Sequence, residues 1–207
     1  KAAHLPQLPP FEGGAIGYAG YDVVRYTEHL PNAPQDDRQL PDLCFGFYDE
    51  MIVFDNVTKT MFVIVMARID DSAADLEAAY EVAKDRVDRV VAKLAGPADG
   101  LTCADIDATG APEISFKSNF EQTEFEDAVR KCVEYIRAGD IFQVVPSRTF
   151  SLPCPAPLTA YAALKKQNPS PYMFYMQDAE FTIFGASPES ALKYTAQSNV
   201  VEIYPIA

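Results

Sequence analysis

The chain has 207 residues, 48% of them hydrophobic, which is enough for one large domain or two small ones and too apolar for wholesale disorder. Its formal charge of −13 argues against a nucleic-acid backbone or an anionic membrane as the main partner, while a few local cations can still hold a small anionic substrate. No apolar run reaches the roughly 18–20 residues that span a bilayer, and no signal peptide is visible.

The stretch FEGGAIGYAGYDVVRY (11–26) holds four of the ten glycines. Gly13-Gly14 reads as a turn, and Gly17 and Gly20 permit close backbone packing. The likeness to a phosphate loop is superficial, because neither Gly-x-Gly-x-x-Gly nor Gly-Lys-Ser/Thr is present. Residues 27–42, polar and proline-bearing, read as a surface loop. EMIVFDN (50–56) and KTMFVIVMAR (59–68) then predict a β-hairpin. From Ser72 to Leu94 the period changes. Leu76, Ala79, Tyr80, Ala83, Val87, Val90, Val91 and Leu94 share one helical face, Ser72 and Asp75 can cap the start, and Gly96-Pro97 stops the run. Residues 96–117, rich in Gly, Pro, Asp and Ala, are the expected linker or excursion between a region 1–95 and a region 118–207.

The second region opens with Thr123 and Glu126 as an expected capping box, a buried stripe of Phe125, Ala128, Val129, Cys132, Val133 and Ile136, and Gly139 as C-terminal cap. A strand over 141–150 follows, with Gln143, Val145, Ser147 and Thr149 on one face, and Pro146 marking an edge or bulge. After Pro157 comes a short helix, Leu158–Gln167. Strands are predicted at 172–178, 180–186 and 189–195, with a fourth from 199, turning at Asp178-Ala179 and Gln197-Ser198. Such short connections imply antiparallel pairing. The expected fold class is α+β, with largely antiparallel sheets and helices on their outer faces.

Cys44, Cys103, Cys132 and Cys154 make no Cys-x-x-Cys motif and read as reduced thiols of a cytoplasmic protein. Only His4 and His29 are present, which disfavours a His-centred metal site or a Ser-His-Asp triad. The chain starts at Lys1 and stops at Ala207 in mid-pattern, so it reads as part of something longer.

Three features can carry chemistry. Gln143 is either a hydrogen-bonded residue at a sheet surface or a site amide. Glu189, after Ser187-Pro188, is either a turn carboxylate or, if desolvation raises its pKa, a proton donor. In NPSPYMFYM (168–176) the prolines hold Asn168 and Ser170 extended. That makes either a plain loop-to-strand joint or a site where the backbone of Tyr172 and Met173 faces a ligand beside a soft apolar wall.

FEGGAIGYAGYD, GDIFQVVPSR, NPSPYMFYM, GASPESALKY and EIYPIA occur in this order, and together they resemble the large subunit (component I) of anthranilate synthase, a chorismate-utilising enzyme family. The resemblance implies amination of chorismate at C2, loss of the C4 hydroxyl and elimination of pyruvate to give anthranilate in tryptophan biosynthesis. Ammonia would come from a glutaminase subunit in a hetero-oligomer, and Mg²⁺ would bind the substrate carboxylate. The glutamate of the family's Ser-Pro-Glu segment, which protonates the departing oxygen, falls on Glu189. Relatives that add water carry a lysine base where this chain has Gln143, and ammonia needs no such base. Aminodeoxychorismate synthases often carry Pro-Ile-Lys where this chain has Pro205-Ile206-Ala207, and alanine cannot attack C2.

NPSPYMFY looks like half of the feedback site for tryptophan, with Pro171, Tyr172 and Met173 as contacts and Asn168 supporting the turn. Pro146 departs from the leucine expected in its strand. The other half of the inhibitor pocket is expected before Lys1. The Mg²⁺-binding glutamates are expected beyond Ala207, leaving no metal site within this chain. On this reading 1–95 is the C-terminal part of the family's N-terminal region and 118–207 the first part of its chorismate-binding domain. The rivals are aminodeoxychorismate synthase component I and a non-catalytic module that binds an amino acid or docks a glutaminase.

Overall fold

Glycine without a Cβ lets two backbones approach where any other residue would hold them apart, and the first element of the computed structural model depends on this. The structure describes residues 5–69, 76–98, 109–110 and 114–204. Strand β1 (Gly14–Ala19) pairs antiparallel with β2 (Leu43–Tyr48), from Gly14 opposite Tyr48 to Ala19 opposite Leu43. A Cβ on Gly17 would lie 1.9 Å from the Cys44 carbonyl oxygen, so the expected close packing is realised as a strand contact. A 3-10 turn (Tyr21–Tyr26) and the expected loop join the two strands. Tyr18 Oη donates to the Pro41 carbonyl at 2.9 Å, and Tyr26 Oη donates to Asp42 at 2.8 Å, tying the loop's far end back.

The predicted hairpin forms as β3 (Glu50–Asp55) and β4 (Thr60–Val65), six residues against six. Its turn is built by Asp55, whose carboxylate accepts from the Val57 and Thr58 amides at 2.8 and 3.2 Å and from the Thr58 hydroxyl at 2.7 Å. Helix α1 (Leu76–Leu94) lies on β4. Its half-buried face is Ala79, Ala83, Val87 and Val90, the centre of the predicted stripe, while Tyr80 and Val91 stay exposed. The expected cap residues Ser72 and Asp75 lie outside the described residues.

The chain divides into two compact units, 1–102 and 103–207, so the division falls within the 96–117 stretch. In the second unit, α2 (Gln122–Ala138) begins one residue before the expected Thr123. The capping pair is Glu121 and Glu124, with the Glu121 amide donating to Glu124 Oε2 at 3.1 Å, and not Thr123 with Glu126. The helix ends as expected at Gly139, whose φ of 83° is open to a residue without a side chain. Phe125, Ala128 and Cys132 of the stripe are half-buried, whereas Val129, Val133 and Ile136 are exposed, because none of the described strands packs extensively beneath α2.

The expected strand over 141–150 is corrected: only β6 (Phe150–Ser151) forms, paired with β5 (Lys117–Ser118). Pro146 has no N–H to donate, and among the described residues no strand lies beside 141–149; Phe142 is 93% exposed and Val145 80%. Helix α3 (Pro157–Gln167) starts on its proline. Strands β7 (Tyr172–Gln177) and β8 (Thr182–Ser187) form a six-pair hairpin covered by α3. The Tyr161 ring of α3 lies 5.5 Å from Tyr175 and 6.0 Å from Phe184, a small aromatic core. Strands β9 (Lys193–Thr195) and β10 (Val200–Glu202) make a separate three-pair hairpin, shorter than expected. The architecture is α+β, with helices α1 and α3 laid on antiparallel pairs.

Candidate functional site

Asn168 ends α3, its amide donating to the Leu164 carbonyl at 2.8 Å with φ −136° and ψ 66°. The prolines then carry the chain into β7, where Tyr172 stands opposite Ser187 and Met173 opposite Ala186. Alternation along the strand puts Met173 on the face of Tyr175, which meets α3, and Tyr172 on the other face with Phe174. The two side chains therefore do not form one wall, as the sequence suggested; the ring of Phe174 instead lies across Gly185, where a Cβ would come within 2.8 Å of it. What β7 does offer is an open edge. Among the described residues it pairs with β8, so along its other side alternate backbone N–H and C=O groups have no strand partner there and can meet a ligand. Pro171 is exposed at the head of that edge.

Glu189 is half-buried just past β8. The Ser187 hydroxyl donates to the Glu189 carbonyl at 2.9 Å and accepts from its amide at 3.4 Å, a serine turn that fixes the backbone and leaves the carboxyl unengaged by it. Gln143 is exposed in the unpaired segment before β6. Neither residue lines the best-formed concavities among the described residues. Pro205, Ile206 and Ala207 lie outside the described residues.

Two charged clusters escaped the sequence reading. On the first unit, Arg86 of α1 grips Asp49 with both terminal nitrogens, at 2.8 and 3.3 Å, and reaches Glu50 through Nε at 3.2 Å; Arg68 adds a looser contact to Asp49 at 3.6 Å. The Arg86 hydrogen bonds hold the Asp49 carboxyl below the usual aspartate range. They border a 490 Å³ hollow lined partly by Ala79 and Ala83, but Arg86 is committed to its partners, so the cluster is a tie between α1 and the start of β3. On the second unit, Lys193 Nζ meets Glu202 Oε2 at 2.9 Å, and Tyr204 Oη donates to Glu202 Oε1 at 2.6 Å. The Tyr204 hydrogen bond, with Lys193 beside it, lowers the Glu202 pKa; the same contacts raise those of Lys193 and Tyr204. The available signal was the turn: Lys193 and Glu202 are register partners in a hairpin that turns around Gln197-Ser198. Among the described residues, no three His, Cys, Asp or Glu side chains converge to hold a metal ion.

Residues 1–207 match the chorismate binding enzyme family, and the chain belongs to that family. Among its relatives, the anthranilate synthase component 1 of Salmonella typhimurium is 43% identical over 206 residues, covering 97% of this chain and 37% of that protein. The Escherichia coli component 1 is 44% identical over 209 residues, covering 99% of this chain and 38% of that protein. The crystal structure of anthranilate synthase component I from Streptococcus pneumoniae superposes with a TM-score of 0.77 at 32% identity, over 95% of this chain and 43% of that one. The chain thus spans well under half the length of the relatives it matches. Among the described residues no helix is long and apolar enough to cross a membrane.

Proposed function

We propose that this chain is part of an anthranilate synthase large subunit, which aminates chorismate at C2 and then eliminates pyruvate to give anthranilate. The observation that carries the reading is the 43–44% identity to two proteins of that name over at least 97% of this chain. In the amination, the new C2–N bond forms as the ring double bonds shift and the C4–O bond breaks. Hydroxide is a poor leaving group, so a carboxylic acid must supply a proton and let the oxygen depart as water. Glu189 is assigned that task. Its backbone is held by the Ser187 turn, which fixes the point from which the side chain leaves the strand end. Gln143 is assigned as the uncharged amide beside an incoming ammonia that needs no general base.

The reading brings with it a glutaminase partner as the source of ammonia, magnesium on the substrate carboxylate, and tryptophan as feedback inhibitor. No step here runs through a metal held by this chain, since its described residues offer no three-ligand cluster. The tryptophan site is assigned to Pro171, Tyr172 and Met173 with Asn168 behind them. The open edge of β7 supports this, because a zwitterionic amino acid needs both backbone donors and acceptors. Cys44, Cys132 and Cys154 are free thiols, which agrees with a cytoplasmic setting.

Product identity tests the reading. The full-length protein carrying this chain is supplied with chorismate, ammonium and Mg²⁺, and the product is identified by fluorescence and mass. Anthranilate is expected. Accumulation of aminodeoxychorismate would transfer the chain to the sister activity. Tryptophan or glutaminase binding with no turnover would reduce it to a regulatory module.

A further inference from the structure

The β7–β8 hairpin is closed at its turn, where the Asp178 amide donates to the Phe181 carbonyl at 2.9 Å, and open at the other end, where the ladder stops at Tyr172 opposite Ser187. One further step of that register would set Pro171 against Pro188. Neither has an N–H to give, so the pairing ends where it does. Each strand passes through its proline into a segment with an assigned task. Tyr172 follows Pro171 within the effector segment, and Ser187 stands two residues before Glu189. The Ser187 hydroxyl donates to the Glu189 carbonyl at 2.9 Å and accepts from its amide at 3.4 Å. Behind this last pair, the remaining register pairs and the rings of Tyr161, Tyr175 and Phe184, with centroids 5.5 to 6.1 Å apart, hold the two strands as one piece. A displacement of Tyr172 is therefore shared by Ser187 and, through one hydroxyl, by the backbone of Glu189.

We propose that Ser187 is a positioning residue that joins the effector segment to the acid: an amino-acid inhibitor seated on Pro171–Met173 shifts the Tyr172–Ser187 pair, and the Ser187 hydroxyl carries that shift to Glu189. The inhibitor then disturbs proton delivery without touching the carboxyl. A ligand moves a conformational equilibrium only by the difference in its affinity for the two arrangements. The head of β7 is where that difference is expressed, and the hydroxyl is what makes the acid feel it. This inference rests on the acid and tryptophan assignments of the preceding subsection.

The test uses the full-length protein. Ser187→Ala is expected to lower kcat about tenfold while KM for chorismate stays within about twofold, because the acid is still present but no longer aimed. In a Glu189→Gln background the same substitution should cost less than about twofold, since no proton donor is left to misplace. A merely structural role would lower both backgrounds alike. With chorismate near KM, saturating tryptophan should leave the parent about a tenth of its rate or less and leave Ser187→Ala about half of its own, while calorimetry gives the two a tryptophan Kd within about threefold. Ser187→Thr keeps the hydroxyl and should restore both the rate and the inhibition. A parent-like kcat in Ser187→Ala, equal losses in Ser187→Ala and Ser187→Thr, or full inhibition of Ser187→Ala by bound tryptophan each overturns the joint. A parent that tryptophan neither binds nor inhibits removes the effector assignment, and the coupling with it. A Glu189→Gln variant with the parent's kcat removes the acid assignment instead.

Discussion

Glu189 has the most to lose from a single atom. Its backbone is pinned at both ends by one hydroxyl, with the Ser187 Oγ donating to the carbonyl at 2.9 Å and receiving the amide at 3.4 Å. General acids contribute roughly 10²- to 10⁴-fold to rate. In the full-length protein, Glu189→Gln keeps the shape and hydrogen-bonding capacity but not the transferable proton. It is therefore expected to lower kcat by about 10²- to 10⁴-fold and to change KM for chorismate far less. Steady-state kinetics separate the two, and an unchanged kcat takes the acid role away from this residue. Gln143 makes the complementary point. It lies exposed in a segment without a partner strand, and its side chain alone says nothing about amination. Only its place in GDIFQVVPSR does.

At the scale of elements, α1 is held to its hairpin by a short apolar face and one ion-pair cluster. Arg86 holds the Asp49 pKa below the ordinary 3.8. A carboxylate with a lowered folded pKa contributes stability that is fully present above its unfolded value and is lost as pH falls through the lowered one. Asp49→Asn should accordingly speed amide exchange along α1 at neutral pH in the full-length protein, and the difference should close as pH falls through the lowered folded value and the parent carboxyl takes up its proton. Because the cluster is open to solvent, the effect should also shrink in high salt. Equal exchange in parent and variant at pH 7 would leave the apolar face of α1 as its sole anchor.

The elements also show what a sequence can disclose. The β3–β4 and β7–β8 hairpins were legible because alternation and turn residues are both local, and α3 because Pro157 and the Asn168 end bracket it. Strand β1 was not, since its partner β2 begins more than twenty residues beyond its end and glycine is a poor strand former. The segment 141–149 failed in the opposite sense. Its pattern suits a strand, but a strand exists only where another lies beside it, and periodicity cannot supply that neighbour. The family was legible through motif order, which is also the sole ground for the candidate site residues, and the Lys193–Glu202 pair was missed because register in a three-pair hairpin turns on where the turn falls.

For the whole molecule the decisive quantity is surface. Ile64, at 6% exposure, is the one buried hydrophobic residue among those described. Phe47, Phe142 and Val145 are at least 80% exposed, and none of the described strands lies extensively beneath the apolar stripe of α2. Marginal stability comes from burial outweighing chain entropy, and the described residues leave much apolar surface uncovered. Taken by itself, the 207-residue chain should bind a hydrophobic dye strongly and unfold over a broad, weakly cooperative transition, retaining helical circular dichroism with little fixed aromatic signal. It should also make no anthranilate from chorismate, ammonium and Mg²⁺, because an acid at Glu189 is of no use without rigid surroundings to aim it. One sharp thermal transition, low dye binding and turnover at the rate of a full-length component I would together show that these residues suffice for both core and chemistry. Dye binding with no turnover, relieved when the remaining length of a relative's chain is supplied in trans, would locate the missing burial outside them.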